Sequence, residues 1–151
     1  MLCKKVQVGE NQLDINDLKK VNDSYGHEMG DRLICYIVSH IKEQIEPKHR
    51  MVRMGGDEFL LIFQDADRSM VEELLVGSLK NIDETKPEVL NQIRVSFSYG
   101  IAEFREGDSL EELLQNADKA MYQNKALYKQ QSAYKAESWI KGDITLAITN
   151  K

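Results

Sequence analysis

The sequence is poor in cysteine, in excess positive charge and in long apolar runs, and each shortage excludes a class of protein. Two cysteines among 151 residues allow at most one bridge and therefore no disulfide framework. A formal net charge of -5 leaves no basic surface of the kind that nucleic-acid binding usually requires. No run reaches the ~20 apolar residues of a membrane span. We therefore expect a cytoplasmic domain that contacts neither nucleic acid nor a membrane.

The sequence does contain the apolar residues for one domain core. Hydrophobic residues make up 42% of the chain, which is enough for residues 1–151 to fold as a single unit. Their spacing predicts, in order, helix 31–46, hairpin strands 49–54 and 59–63, helix 69–82, strand 93–104 and a helix from residue 109. Residues 1–13 are mostly polar and support a central strand only weakly, and residues 144–148 form one further strand-like run. This order indicates an α+β fold in which helices cover a mainly antiparallel sheet, with Cys35 as a buried thiol.

The stretch RMGGDEF, residues 53–59, carries the first sign of chemistry. A pair of glycines at a tight turn lets the backbone approach a ligand, and the following Asp57 and Glu58 are oxygen donors suited to a divalent metal. The alternative is a plain hairpin turn whose acids face water. A second acid-rich stretch, residues 13–31, favours the first interpretation, because Asp14 lies between the apolar Leu13 and Ile15.

Four blocks of the sequence together resemble one known family. They are DINDLKKVNDSYGHEMGD (14–31), RMGGDEF (53–59), SFSYGIA (96–102) and ADKAMYQNK (117–125), and they follow the order found in that family. The chain resembles a GGDEF domain, the catalytic domain of diguanylate cyclases, over about residues 13–129, whereas residues 130–151 form an atypical tail. The resemblance implies a nucleotidyl-cyclase or palm-like sandwich with the GGDEF motif on a β-hairpin turn.

The resemblance also implies an activity, a metal and a partner. GGDEF domains condense two GTP molecules into cyclic di-GMP and release pyrophosphate, with one GTP on each subunit of a homodimer. The metal, Mg²⁺ or Mn²⁺, would be held by the carboxylates of Asp14 and Asp57 and by the carbonyl of Ile15. Glu58 matches the acid that receives the 3′-hydroxyl proton or supports the metal.

The remaining residues that match the family's motifs are expected to contact GTP. Asn22 and Asp31 match the pair that recognises the edge of guanine, to which an amide and a carboxylate are chemically suited. Cations expected to contact phosphate are Lys19, Lys125 and Lys129, the last of which replaces the usual arginine. Gly55 and Gly56 would let the substrate approach the turn.

The chain departs from the family in three places. Only 13 residues precede Asp14, so the sequence leads us to expect a truncated domain that lacks a family helix and any upstream sensory domain. Asn16 and Asp17 stand where the family usually has an acid and an aromatic residue. Glu46 and His49 replace the arginine and aspartate of the product-binding RxxD motif, which predicts weak or absent product inhibition.

Two alternatives to an active cyclase remain open at this point. The first is a degenerate module that binds GTP or a protein partner without turnover, which the short N-terminal region favours. The second is a metal-dependent nuclease or polymerase palm, which shares the two-acid chemistry. That second alternative would require a basic track that this acidic composition lacks.

Overall fold

The computed structural model describes the backbone of residues 9–104 and 107–140, and the side chains of residues 13–104 and 107–131. The described residues contain four strands, β1 (Gly9–Ile15), β2 (Arg50–Arg53), β3 (Glu58–Phe63) and β4 (Phe97–Glu103). The helices are α1 (Leu18–Tyr25), α2 (His27–Lys42), α3 (Arg68–Ile82) and α4 (Leu110–Ile140), with a short 3₁₀ turn at Glu88–Leu90. The predicted α+β class is therefore confirmed.

The strands form one antiparallel sheet in the order β2-β3-β1-β4. Strand β1 is central, with Asp14 opposite Glu58 on one side and opposite Ser98 on the other. The sequence supported a strand there only weakly, and this expectation was wrong. Successive side chains of a strand alternate between faces, so the polar residues of β1 break up an apolar run without preventing strand pairing.

One face of the sheet carries the main core. Leu13 and Ile15 of β1 point to this face, which helices α2 and α3 cover. The other strands contribute Phe59, Leu61, Phe63, Phe97 and Ile101, and the two helices contribute Leu33, Ile37, Ile41, Val71, Leu75 and Ile82. Burial of these side chains, each of which stabilises the fold by about 1.5–3 kcal/mol, holds the sheet and the helices together.

Helix α4 covers the opposite face through a smaller cluster of Ala102, Leu113 and Ala117, with Phe104 packed beside it. The approach is very close at Gly100 of β4. A β-carbon at residue 100 would overlap the carbonyl oxygen of Ala117 and the amide nitrogen of Met121. Glycine at this position therefore determines how near α4 lies to the sheet.

Several predicted elements are confirmed and others change. The hairpin and helix 69–82 are present, and α4 begins at the predicted capping box, in which Ser109 Oγ accepts from Glu112 N at 3.1 Å. The predicted helix 31–46 begins earlier and ends earlier, at His27–Lys42, and α1 was not predicted. Cys35 is exposed, not buried, because it lies off the apolar face of α2. Residues 144–148 lie outside the described residues.

Candidate active site

The GGDEF motif occupies the turn between β2 and β3, as predicted. The turn is closed by backbone bonds from Met54 N and Gly55 N to Glu58 O, at 2.9 and 3.3 Å. Arg53 holds it from outside, with Nε 3.1 Å from Gly55 O and Nη2 2.9 Å from Gly56 O. Of the described glycines only Gly26 and Gly107 have positive φ, so backbone strain does not explain the glycine pair. A β-carbon at Gly56 would meet open space, which leaves this turn accessible to a ligand.

The structure brings Asp14, Ile15 and Asp57 together at one end of β1. Ile15 N donates to Asp57 O at 2.9 Å, which fixes the hairpin turn against the end of the strand. Asp14 is buried, with 4% of its surface exposed. Its Oδ2 accepts from Lys125 Nζ on α4 at 2.8 Å, whereas its Oδ1 is buried without a hydrogen-bond partner among the described residues. A buried carboxylate oxygen without a donor is a strong acceptor left available for a further positive group.

The electrostatics of this cluster follow from burial and from the charges around Asp14. Burial raises the pKa of the Asp14 carboxyl above its ordinary value, and the neighbouring Asp57 carboxylate raises this pKa further, while Lys125 opposes both effects. Burial alone would lower the pKa of Lys125, but its hydrogen bond to Asp14 and the charges of Asp14 and Asp57 outweigh burial and raise that pKa. Lys125 therefore remains a cation across the physiological pH range.

Glu58 lies beside Asp14 across the sheet. The register places Glu58, Asp14 and Ser98 in one row over three strands, so the side chains of this row point to the face covered by α4. Glu58 is exposed to solvent, whereas Asp14 and Ser98 are buried. The row therefore presents one solvated carboxylate next to one buried carboxylate.

A cavity of about 430 Å³ opens at this cluster. Five of the predicted residues line it: Ile15, Lys19, Asp57, Lys125 and Lys129. Lys19 and Lys129 are exposed and Lys125 is half-buried, and with Lys20 they place four lysines around an opening that two carboxylates, Asp17 and Asp57, also line. Such an arrangement is suited to polyanionic groups accompanied by a metal.

The sequence did not predict four further residues that line the cavity, namely Asp17, Leu18, Lys20 and Tyr128. Tyr128 Oη donates to Asp17 Oδ2 at 3.0 Å, which ties α4 to the loop after β1. Asp17 adopts the left-handed conformation with φ 61° and also pairs with Lys20 at 3.1 Å. Tyr128 lies three residues after Lys125 and therefore shares its helix face, which is the one sequence signal that would have indicated it.

The sequence also did not predict that Asn16 links the end of β1 to β4. It is buried, its Nδ2 donates to Ser96 Oγ at 2.7 Å, and its Oδ1 accepts from Ser98 Oγ at 2.8 Å. A backbone bond from Asn16 N to Ser96 O, at 3.1 Å, reinforces the link. These bonds hold the end of β1, and with it Asp14 and Ile15, against β4.

Asn22 and Asp31 lie on the helix pair that follows β1 and are not among the described residues that line the cavity. Asn22 is on α1, three residues after Lys19, and is half-buried against Gly30 of α2. Asp31 is exposed in the first turns of α2. The two side chains thus belong to adjacent helices beside the cavity.

The described part of the chain has no larger acidic cluster and no membrane helix. No three or more of its His, Cys, Asp and Glu side chains are grouped so as to hold a metal ion by themselves. None of its helices combines the length and the apolar character that crossing a membrane requires.

Comparison with known proteins identifies one family. The family model described as "Diguanylate cyclase, GGDEF domain" matches residues 5–131. The bifunctional diguanylate cyclase/cyclic di-GMP phosphodiesterase MucR of Pseudomonas aeruginosa is 36% identical over 111 residues, which are 73% of this chain and 16% of MucR. The diguanylate cyclase DgcS of Shewanella oneidensis is 36% identical over 74% of this chain and 36% of its own length. The chain thus spans only a minor part of these curated relatives.

Solved structures agree with the family match. The GGDEF domain of DgcB from Caulobacter crescentus, in complex with c-di-GMP, has a TM-score of 0.73 and 30% identity over 80% of this chain and 73% of that chain. Diguanylate cyclase SiaD from P. aeruginosa, in complex with its activator SiaC, shares the fold with a TM-score of 0.69 at 24% identity, over 80% of this chain and 46% of that chain. The sandwich with its GGDEF hairpin is thus the fold of this family.

Proposed function

Because the chain belongs to the diguanylate cyclase GGDEF domain family, we propose that it condenses two GTP molecules into cyclic di-GMP. In each half of the reaction a 3′-oxygen forms a bond to the α-phosphorus of the other GTP, and pyrophosphate leaves with the electrons of the broken bond. Because this chain offers one such site, we propose that two chains face each other as a homodimer, with one GTP bound to each.

The observation that carries this proposal is the buried Oδ1 of Asp14, which has no hydrogen-bond partner among the described residues and lies beside Asp57. Asp14, Asp57 and the carbonyl of Ile15 offer oxygen ligands of the kind that Mg²⁺ or Mn²⁺ prefers, and we propose that they hold the ion. When bound, the metal neutralises charge on the phosphates during the transfer. The remaining ligands would come from phosphate and water.

The protein groups around this centre would each have a separate task. Lys19, Lys125 and Lys129 would bind the phosphates, and Lys125 would exchange its bond to Asp14 for one to a phosphate oxygen. Glu58, exposed beside Asp14, would accept the proton of the 3′-hydroxyl. Gly55 and Gly56 would leave room for the nucleotide next to the turn.

Selectivity for guanine would come from the two helices beside the cavity. Asp31 would accept bonds from the guanine N–H groups, and Asn22 would donate to a guanine acceptor. Adenine presents a different pattern of donors and acceptors, so a polar group of the protein would be left unpaired when ATP binds. We therefore expect GTP to bind in preference to ATP.

A second candidate is a degenerate GGDEF module that binds GTP or a protein partner without turnover. The Lys125–Asp14 ion pair favours it, because the lysine already offsets the charge of Asp14 and would repel a metal cation bound to the same carboxylate. Replacement of the usual arginine by Lys129 favours it as well, since a lysine cannot make a bidentate contact with phosphate.

The test is incubation of the purified chain with GTP and Mg²⁺, followed by chromatographic separation of the nucleotides. We expect cyclic di-GMP from the parent, and an Asp57→Asn variant should lose both turnover and the Mg²⁺ dependence of GTP binding measured by calorimetry. Glu73→Gln on the exposed side of α3 is the matched control and should behave as the parent. A parent that binds GTP but forms no product would establish the degenerate module.

A further inference from the structure

Helices α1 and α2 approach each other most closely where Asn22 meets Gly30. Gly30 is buried in α2, and Asn22 is half-buried on α1. A β-carbon at residue 30 would overlap Asn22 Oδ1 and would lie 2.9 Å from Asn22 Cγ and 3.4 Å from Nδ2. The side-chain amide of Asn22 therefore occupies the space that any larger residue at position 30 would fill.

The backbone itself does not require glycine at position 30. Gly30 lies inside α2, and it is not among the described glycines with positive φ, so an L-residue could adopt its conformation. Alanine is also favoured over glycine inside a helix. The overlap does not depend on which amide atom of Asn22 faces α2, because Cγ itself would lie too close to the new carbon. Glycine at position 30 is therefore explained by the space it leaves for Asn22 and not by its backbone conformation.

The space beside Gly30 also bears on Asp31, the next residue of α2. Asp31 follows Gly30 directly on α2, so an amide held against Gly30 has a fixed position relative to the helix turn that carries Asp31. If position 30 carried a side chain, Asn22 would have to leave its rotamer while Asp31 kept its place on α2. The pair would then no longer present the edge of one base with a fixed spacing.

We propose that Gly30 is a positioning residue for base recognition: it leaves the space in which the Asn22 amide packs on α2, and so fixes that amide relative to Asp31. This inference rests on the proposed function, in which Asn22 and Asp31 bind guanine. Gly30 touches no substrate and acts only through Asn22. A residue that merely let the two helices pack would instead affect stability, and its effect would add to that of removing the Asn22 side chain.

The first experiment needs no nucleotide. In two-dimensional NMR spectra of the parent, the side-chain amide protons of Asn22 should show a nuclear Overhauser effect to the α-protons of Gly30. In Gly30→Ala the Asn22 side-chain resonances should shift. Absence of the contact in the parent, or unchanged Asn22 resonances in the variant, would overturn the inference whatever the protein binds.

The second experiment is a double-mutant cycle read by calorimetry with GTP and with ATP. We expect Gly30→Ala to weaken GTP binding by roughly 5- to 10-fold, the loss of about one hydrogen bond, and to leave ATP binding almost unchanged. Asn22→Ala should have a similar effect, and the double variant should bind no more weakly than Asn22→Ala alone. Additive losses would overturn the inference, because Gly30 would then act independently of Asn22.

Thermal unfolding of Gly30→Ala, and a substitution at a second helical glycine, distinguish a positioning role from a purely structural one. Gly30→Ala should unfold at the parent's midpoint or above it, whereas a purely structural glycine would lower the midpoint. Gly77→Ala, in α3, is the control, because a β-carbon at Gly77 meets no atom within 4 Å apart from its chain neighbours and the nearby backbone of its own helix. It should leave GTP binding unchanged. A parent that shows the NMR contact but binds GTP and ATP equally would refute guanine recognition, and with it this role of Gly30, while leaving the contact itself established.

Discussion

The two faces of the sheet differ in what they bury, although the same four strands supply both. On the face covered by α2 and α3, β1 contributes the apolar Leu13 and Ile15. On the face covered by α4, the residue between them, Asp14, is buried together with Ser98. The α4 face therefore buries a carboxylate and a hydroxyl group close to the point where α4 approaches Gly100. At the same strand the apolar face buries only hydrocarbon side chains, which require no hydrogen-bond partners.

Burial of the Asp14 carboxylate on the α4 face costs free energy. A buried carboxylate is tolerated only with partners, and Asp14 has Lys125 on one oxygen while the other has none among the described residues. The apolar face supplies stability that does not depend on those partners. Substitutions on the two faces should therefore separate stability from activity, and the following predictions test that separation.

The largest effect is expected on the apolar face. Leu61 is fully buried in β3, and Leu61→Ala should lower the free energy of unfolding by about 2–5 kcal/mol, because it leaves a cavity. The matched control is Val52→Ala in β2, on the opposite face and 44% exposed, which should stay within about 0.5 kcal/mol of the parent. Urea denaturation measures both. Equal losses would show that the two faces contribute alike.

The next effect belongs to the α4 face and concerns turnover. If Glu58 is the base of the proposed reaction, Glu58→Gln should lower turnover by roughly 10²-fold or more, about 2.7 kcal/mol in the barrier, because the amide cannot accept the 3′-hydroxyl proton. GTP affinity and the urea midpoint should stay close to those of the parent, since Glu58 is exposed. Single-turnover rates give the comparison, with Glu73→Gln as control. A parent-like rate would mean that Glu58 is not the base.

A smaller effect is expected where α4 approaches the sheet. Gly100→Ala should lower the free energy of unfolding by about 1–3 kcal/mol, because the added carbon meets backbone atoms of α4 that cannot rotate away. Displacement of α4 should also weaken the pair between Lys125 and Asp14. Gly77→Ala is the control and should not destabilise the chain. A Gly100→Ala variant as stable as the parent would show that α4 has room to move.

The smallest effect is a pH dependence near the hairpin. His49 packs on Phe63 with ring centroids 4.8 Å apart, and its Nδ1 accepts from Gln64 N at 3.2 Å. Burial lowers the pKa of His49 below its ordinary 6.5, Lys48 lowers it further, and Glu46 and Asp65 oppose the shift.

A lowered histidine pKa means that the unfolded chain binds the proton more readily. The contribution of His49 to stability is therefore present above pH 6.5 and is lost as the pH falls through the folded-state pKa. The urea midpoint should fall between pH 7.5 and pH 5, and less so in His49→Gln. An identical pH dependence in both proteins would remove His49 as its source.

Local patterns in the sequence predicted the features that depend on interactions between residues close together in the chain, such as helix caps and tight turns. The capping box at Ser109 marked the start of α4, and the glycine pair in the GGDEF motif marked the hairpin turn. The same patterns did not predict α1, whose eight residues include only two buried side chains, Leu18 and Val21. A helix this short is stabilised mainly by packing against α2, and local propensity does not contain that information.

Residue types and their spacing along the chain were sufficient to identify the fold class and the family, and they supplied predicted site residues, although Asp17, Tyr128 and the role of Asn16 were missed. Tertiary structure alone decided that Lys125 meets Asp14 across 111 residues, that Tyr128 meets Asp17, and that Gly30 leaves space for Asn22. These contacts join residues of different elements. Their geometry is therefore set by how α4 and α2 pack, which no local pattern records.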